Sequence, residues 1–181
     1  VTISQYQADL LCDSQFIDAS RILVSSAGVD YQAYHSNQAK IPGRCIYCSV
    51  PYRGLEYLLD LWPQIKHRVP WATLDITSSY IPWGKDSDEN ERICKPIYDK
   101  MREMAELGVN NLVSLPKHEL IRRQLQAELL LYPSTYDELC CVSALECAAA
   151  RCAIVTSNRA ALRERVLHGQ SGFKIDGHPS E

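Results

Sequence analysis

The chain has 181 residues, 46% of them hydrophobic, and a formal net charge of −3. That length suits one domain with a single apolar core, and acidic and basic residues are mixed along it without a basic stripe, so no nucleic-acid partner is expected. Its apolar runs are short against the roughly 20 residues that span a bilayer, and no charged n-region or cleavage site follows Val1, so no transmembrane segment or targeting peptide is expected and the setting reads as cytoplasmic.

In chain order, β-rich apolar runs predict strands at residues 22–26, 45–49, 73–77, 111–115, 128–132, 153–156 and 172–175. Between them, residues 54–69 place Leu55, Leu58, Leu59, Trp62, Ile65 and Val69 on one stripe, the pattern of an amphipathic helix. The charged segment 81–91, with Pro82 and Gly84 near its start, predicts an exposed loop leading into a helix around 95–107. Further helices are predicted at 117–126, 143–150 and 160–167. Repeated strand–helix units of this kind imply an α/β fold, a Rossmann-like parallel sheet with helices on both faces.

Eight cysteines raise the question of metal or disulfides. Cys45 and Cys48 form one C-x-x-C, but in a strand that odd spacing turns the thiols to opposite faces, and no second pair supplies two more zinc ligands. The cysteines therefore read as small buried apolar residues of a reducing compartment.

Ligands of open parallel sheets bind at the carboxyl ends of the strands. This directs attention to the loops 49–54, 78–83, 115–117, 133–141 and 157–160. The most informative stretch is YPSTYDELCCVSALECAAA, residues 132–150, where a strand empties into a polar loop and then a helix. Glu138 and Glu146 are separated by seven residues. With the helix starting near Val142, both carboxylates can face one ligand, and the amides of Cys141, Val142 and Ser143 would point out of the helix N-terminus toward an anion. Such a site suits a phosphate flanked by hydroxylated rings. The same residues also fit a plainer pattern: Ser143-x-x-Glu146 is a capping box, and Glu138 can be a solvated loop acid.

Residues 132–149 resemble the E-x7-E region of glycosyltransferase family 4, whose members have the two-domain GT-B fold. Further resemblances follow in sequence order: SAGVD at 26–30, SVPYRGLEYLL at 49–59, LPKHEL at 115–120, AELLLYPS at 127–134, and ALRERV with SGF at 161–166 and 171–173. The resemblance implies that residues 1–181 are the C-terminal, nucleotide-sugar-binding half of a retaining hexosyltransferase. Arg53 would contact the donor pyrophosphate, Glu138 the transferred sugar, Glu146 the ribose hydroxyls, and the amides of Cys141 and Val142 the sugar or phosphate oxygens. The base would rest near Leu115, Pro116 and Lys117. No cofactor is implied beyond the donor, a UDP-, GDP- or ADP-sugar. No metal is expected, because Arg53 and the helix N-terminus can supply the positive field.

The resemblance also implies an N-terminal acceptor-binding domain and closing helices that this sequence lacks, so the chain is expected to be truncated at both ends and inactive alone. It leaves open peripheral membrane association of the full enzyme. Two departures stand out: residues 47–50 hold no second basic residue, and Cys141 stands where the family usually has glycine. Arg53 can alternatively be an exposed charge at a helix start. Other readings of the whole are a sugar-nucleotide epimerase or phosphorylase on the same architecture, and a flavodoxin-like scaffold without ligand.

Overall fold

A computed structural model describes residues 1–179. Six parallel strands form one sheet: β1 (Arg44–Cys48), β2 (Thr73–Thr77), β3 (Val109–Asn111), β4 (Leu129–Tyr132), β5 (Ala153–Ser157) and β6 (Gly172–Ile175), in the order β3-β2-β1-β4-β5-β6. The helices are α1 (Gln5–Gln15), α2 (Leu55–Arg68), α3 (Ser87–Glu103), α4 (Lys117–Gln126), α5 (Val142–Ala149) and α6 (Leu162–Arg165). The chain winds outward through β1, β2 and β3, then crosses back to β4 and winds the other way. Right-handed crossovers therefore put α2 and α3 on one face and α4, α5 and α6 on the other. The order reverses between β1 and β4, which opens a crevice above their carboxyl ends.

Because both faces are covered, the central strands are apolar throughout rather than alternating. Ile46, Tyr47, Leu74, Ile76, Leu130 and Ile154 are all completely buried. The predicted stripe of α2 packs on the sheet through Leu55, Leu58, Leu59 and Trp62, and the Trp62 indole donates to Leu107 O at 3.0 Å. Pro63 lies on the exposed side of this helix, where the loss of one backbone donor is least costly.

Several boundaries differ from the sequence-based expectation. Residues 22–26 form no strand of the sheet; they are mostly exposed and meet Thr2 through a single bridge at Val24. Strand β3 ends at Asn111 because the Asn111 side chain accepts from Val113 N at 3.1 Å, and Val113 turns into the left-handed region at φ 52. Residues 113–115 are thereby freed to line the crevice. Helix α3 begins earlier than expected, at Ser87, where the Asp86 side chain accepts from Glu89 N and Asp88 and Glu89 favour the positive end of the dipole. The predicted helix over 160–167 shortens to the four residues of α6. Helix α1 was not anticipated, since Ala8 is its one buried residue; Glu164 secures it by accepting from Gln5 N and Tyr6 N at 2.9 and 2.7 Å.

All eight cysteines are free thiols, seven of them buried and Cys12 partly so. Cys48 lies with its sulfur 3.9 Å from that of Cys147 on α5. No helix among the described residues is long and apolar enough to cross a membrane.

Candidate functional site

The loop after β1 carries Tyr52, Arg53 and Gly54 into the start of α2. Gly54 sits at φ 101, and a Cβ there would lie 2.0 Å from Pro133 O. Glycine is thus required twice, by backbone conformation and by the contact that brings the β1 loop against the β4 loop. That contact sets Arg53 beside Glu138.

Above it is a cavity of about 420 Å³, lined by six of the nine residues singled out from the sequence: Arg53, Leu115, Glu138, Cys141, Val142 and Ser143. Pro116, Lys117 and Glu146 are not among its lining residues. Glu138 is no solvated loop acid, being only 3% exposed. One amino nitrogen of Arg53 lies 3.0 Å from each Glu138 carboxylate oxygen, and the Tyr132 hydroxyl donates to the same carboxylate. Burial and the neighbouring Cys141, Tyr47 and Glu138 drive the Tyr132 pKa far up, so Tyr132 remains a donor.

Arg53 is not the free helix-start charge that it could have been. Its guanidinium lies 4.5 Å from the ring centre of Tyr136, 5.3 Å from Trp83 and 5.7 Å from Tyr52. Burial opposes its charge, but Tyr52, Glu138 and Tyr132 outweigh that and raise its pKa. Its buried Nε has no hydrogen-bond partner among the described residues, so a donor remains unused.

The helix start is built differently from a capping box. The N-cap is Cys141, at φ 57 and ψ 75, with no side-chain cap. Ser143 is inside the first turn, and its hydroxyl donates to Cys48 O at the end of β1. Glu146 does not reach back to the helix start; it accepts from Lys117 and, at 3.2 Å, from the Gln124 side chain. The amides of Cys141, Val142 and Ser143 donate to no acceptor among the described residues and remain available to an anion. Cys141 keeps the left-handed backbone that glycine would adopt freely, at about 1–2 kcal/mol of strain. Its side chain points into the core and is 5% exposed, so the thiol does not cover the helix end.

The sequence reading missed four contributors. Tyr132 ends β4 and Tyr136 lies in the loop that follows, both within the motif segment, and Tyr52 adjoins Arg53. Gln124 is completely buried, with its amide between the Tyr34 hydroxyl, which donates to it at 2.8 Å, and Glu146. A polar residue on the inward stripe of α4, in line with Leu120 and Ile121, was the available signal. The triplet Asp86-Ser87-Asp88 is used to start α3, as described above. Among the described residues no group of three or more His, Cys, Asp or Glu side chains could hold a metal ion.

The family model for glycosyl transferases group 1 matches residues 42–181. No curated protein matches the chain by sequence. Among solved structures, HepE of Anabaena, crystallised with UDP and glucose, superposes with a TM-score of 0.73 at 17% identity, over 99% of this chain and 50% of that one. A glycosyltransferase from Rickettsia africae gives 0.76 at 14% identity, over 96% and 48%. The pneumococcal O-GlcNAc transferase GtfA, solved with UDP and GlcNAc, gives 0.67 at 16% identity, over 97% and 33%. The chain thus spans half or less of the length of these neighbours. At such identities the likeness concerns the fold, a GT-B half-domain.

Proposed function

The chain belongs to the glycosyl transferases group 1 family, and from that premise we propose that it is the donor-binding domain of a retaining glycosyltransferase that moves a hexosyl unit from a nucleotide-sugar to an acceptor. The observation that carries this reading is the meeting, at one cavity, of the half-buried Arg53 and its buried partner Glu138 with the unbonded amides of the α5 N-terminus. Amides and guanidinium together suit a diphosphate, and Glu138 is positioned to accept from hydroxyls of the transferred sugar. As the bond from the anomeric carbon to the diphosphate oxygen breaks, charge grows on that oxygen. Arg53 and the helix end would stabilise it without reorganising. The acceptor oxygen bonds to the anomeric carbon on the face the diphosphate leaves, and its proton passes to the departing phosphate, so configuration is kept.

Glu146 is proposed to hold the ribose hydroxyls, exchanging its Lys117 partner for them, with the base near Leu115, Pro116 and Lys117. Ser143 would contribute its amide alone, its hydroxyl being bound to β1. A second domain would bind the acceptor, in keeping with neighbours at least twice as long, and this chain alone is expected not to turn over. The reading needs no metal, since the local positive field comes from the chain itself.

The test is thermal unfolding with UDP, GDP and ADP and their sugar conjugates, with and without EDTA. A nucleotide at 100 times its Kd adds about 2.7 kcal/mol of stability. A shift with one nucleotide, retained in EDTA and abolished by Glu146→Ala, supports the reading. A folded chain that shifts with none of them is a scaffold rather than a donor domain.

A further inference from the structure

At the edge of the donor cavity lies a surface to which no part of the donor has been assigned: Trp83 and Tyr136 line the cavity, and Tyr52 and Tyr80 line the groove beside it. Four aromatic rings from three different loops interlock at its mouth: Tyr52 after β1, Tyr80 and Trp83 after β2, and Tyr136 after β4. Tyr52 meets Tyr136 edge-on at 5.5 Å and Trp83 edge-on at 6.1 Å, and lies parallel to Tyr80 at 6.4 Å. Tyr52, Trp83 and Tyr136 are nonetheless 45%, 56% and 40% exposed. Single exposed aromatics are common, but a contiguous group held in place at a cavity mouth marks a binding surface.

The rings are held in place. Tyr80 N donates to the buried Asn90 side chain at 2.7 Å, which itself bonds the Tyr98 hydroxyl. Trp83 closes a tight turn through its amide to Tyr80 O at 2.9 Å. Arg53 packs beneath the other three rings. A ligand would meet a platform formed in advance, with little ordering left to do.

The chemistry selects the ligand. Arg53, packed against three of the rings, is already matched by Glu138, and the groove beside Tyr52 and Tyr80 carries one acid and one base, Glu56 and Lys100, so these groups leave no excess charge of either sign at the platform. It offers apolar ring faces bordered by tyrosine hydroxyls and an indole N–H, which suits a flat neutral molecule with C–H groups on its faces and hydroxyls at its edge. A sugar ring has that form. The position argues against a nucleobase: the loops of Tyr52, Tyr80 and Trp83 lead into α2 and α3 on one face of the sheet. Leu115, Lys117 and Glu146 belong to the α4 and α5 side. A donor lying across the crevice with its base at Leu115 brings its sugar to Glu138, and Tyr136, two residues away, is the next surface beyond.

We propose that Tyr52, Trp83 and Tyr136, buttressed by Tyr80, form a stacking subsite for a neutral sugar ring of the acceptor. That the ring is the acceptor's rests on the donor-domain reading; that it is a sugar does not.

The experiment uses the full chain with Trp71→Phe, which leaves Trp83 as the exposed tryptophan because Trp62 is completely buried. Methyl glycosides of glucose, galactose, mannose and N-acetylglucosamine, and the corresponding β-linked disaccharides, are titrated while tryptophan emission is followed. UDP is titrated separately by thermal shift. The expected result is a saturable emission change with at least one glycoside, weakened about five- to tenfold by Tyr52→Leu and by Tyr136→Leu, the loss of one aromatic contact. Trp83→Leu is read by saturation-transfer NMR and should weaken binding likewise; because these rings also pack on Arg53, the two sites are separated by Glu146→Ala, which should lose the UDP shift and keep the parental glycoside response. No saturable change with any glycoside overturns the proposal, as does unaltered binding by the variants. Competition between UDP and the glycoside for the Trp83 signal also overturns it, since the rings would then hold the base. Glycoside binding without any nucleotide shift leaves the platform standing and removes the donor-domain reading.

Discussion

Gly54→Ala tests whether the meeting of the β1 and β4 loops is what builds the site. The added Cβ would lie 2.0 Å from Pro133 O, 2.7 Å from Pro133 C and 3.2 Å from Ser134 Cα, at a residue with φ 101. None of these atoms is the end of a flexible side chain, so the loop itself must move. A left-handed backbone costs a non-glycine residue about 1–2 kcal/mol, and forcing the contact open adds about 1–3 kcal/mol. The lower entropy of the unfolded alanine chain returns about 0.4–1 kcal/mol. The net loss is about 1–4.6 kcal/mol, measured as a lower guanidinium midpoint at unchanged slope. Gly28→Ala is the control, because nothing lies within 4 Å of its Cβ position and its φ is not positive; it should stay within about 0.5 kcal/mol. A Gly54→Ala loss below about 1 kcal/mol would refute the argument that this contact is tight.

Four further outcomes follow from the same geometry. Arg53→Met leaves the buried Glu138 carboxylate without its cation and should cost about 3–5 kcal/mol at neutral pH, read by denaturant unfolding; a change under 1 kcal/mol would mean that the pair is more solvated than its geometry indicates. Gln124→Leu removes the neutral group that aims Glu146, and should weaken UDP about five- to tenfold while leaving 2′-deoxy-UDP nearly unchanged, the worth of one hydrogen bond; an equal loss for both would make Gln124 merely structural. Burial, with Glu128 assisting, pushes the Cys45 thiol from 9.0 up to about 12, so the unfolded chain releases that proton first. The stability it contributes is complete below about pH 9 and is lost as pH rises toward 12, and Cys45→Ala should flatten that alkaline limb of the midpoint curve. Native alkylation should modify Cys12 well before the seven buried thiols, which mass spectrometry can count.

Strands and helices that bury a full face were legible in the sequence, because an apolar run or a stripe on α2 has one stable placement. What was not legible depended on local side-chain bonds. Asn111 ended β3 by bonding Val113 N, Asp86 started α3 by capping it, and Glu164 fixed α1 from more than 150 residues away. Residues 22–26 have the composition of a strand but pair only with Thr2, through one bridge at Val24, and stay outside the sheet. The site divided in the same way. Spacing pointed to Glu138, Cys141, Val142 and Ser143 and the family resemblance to Arg53, and these meet at one cavity, yet Arg53 for Glu138 and Lys117 and Gln124 for Glu146 are partners distant in sequence.

Those partners change the electrostatics of binding. Before any ligand arrives, Glu138 is matched by Arg53 and Glu146 by Lys117. The unopposed positive features are then the amide groups at the start of α5, which Cys141 orients by holding a backbone that costs it strain. A diphosphate would settle there first and then draw on the charge of Arg53, with the Glu138 bonds kept. Ribose hydroxyls would instead have to displace Lys117, whose side chain is 58% exposed and can swing into solvent at little cost. Lys117→Ala should therefore leave nucleotide affinity unchanged or raise it. A strong loss of UDP affinity in that variant, measured calorimetrically at two salt concentrations, would show that the lysine holds the phosphate itself and that the base lies elsewhere.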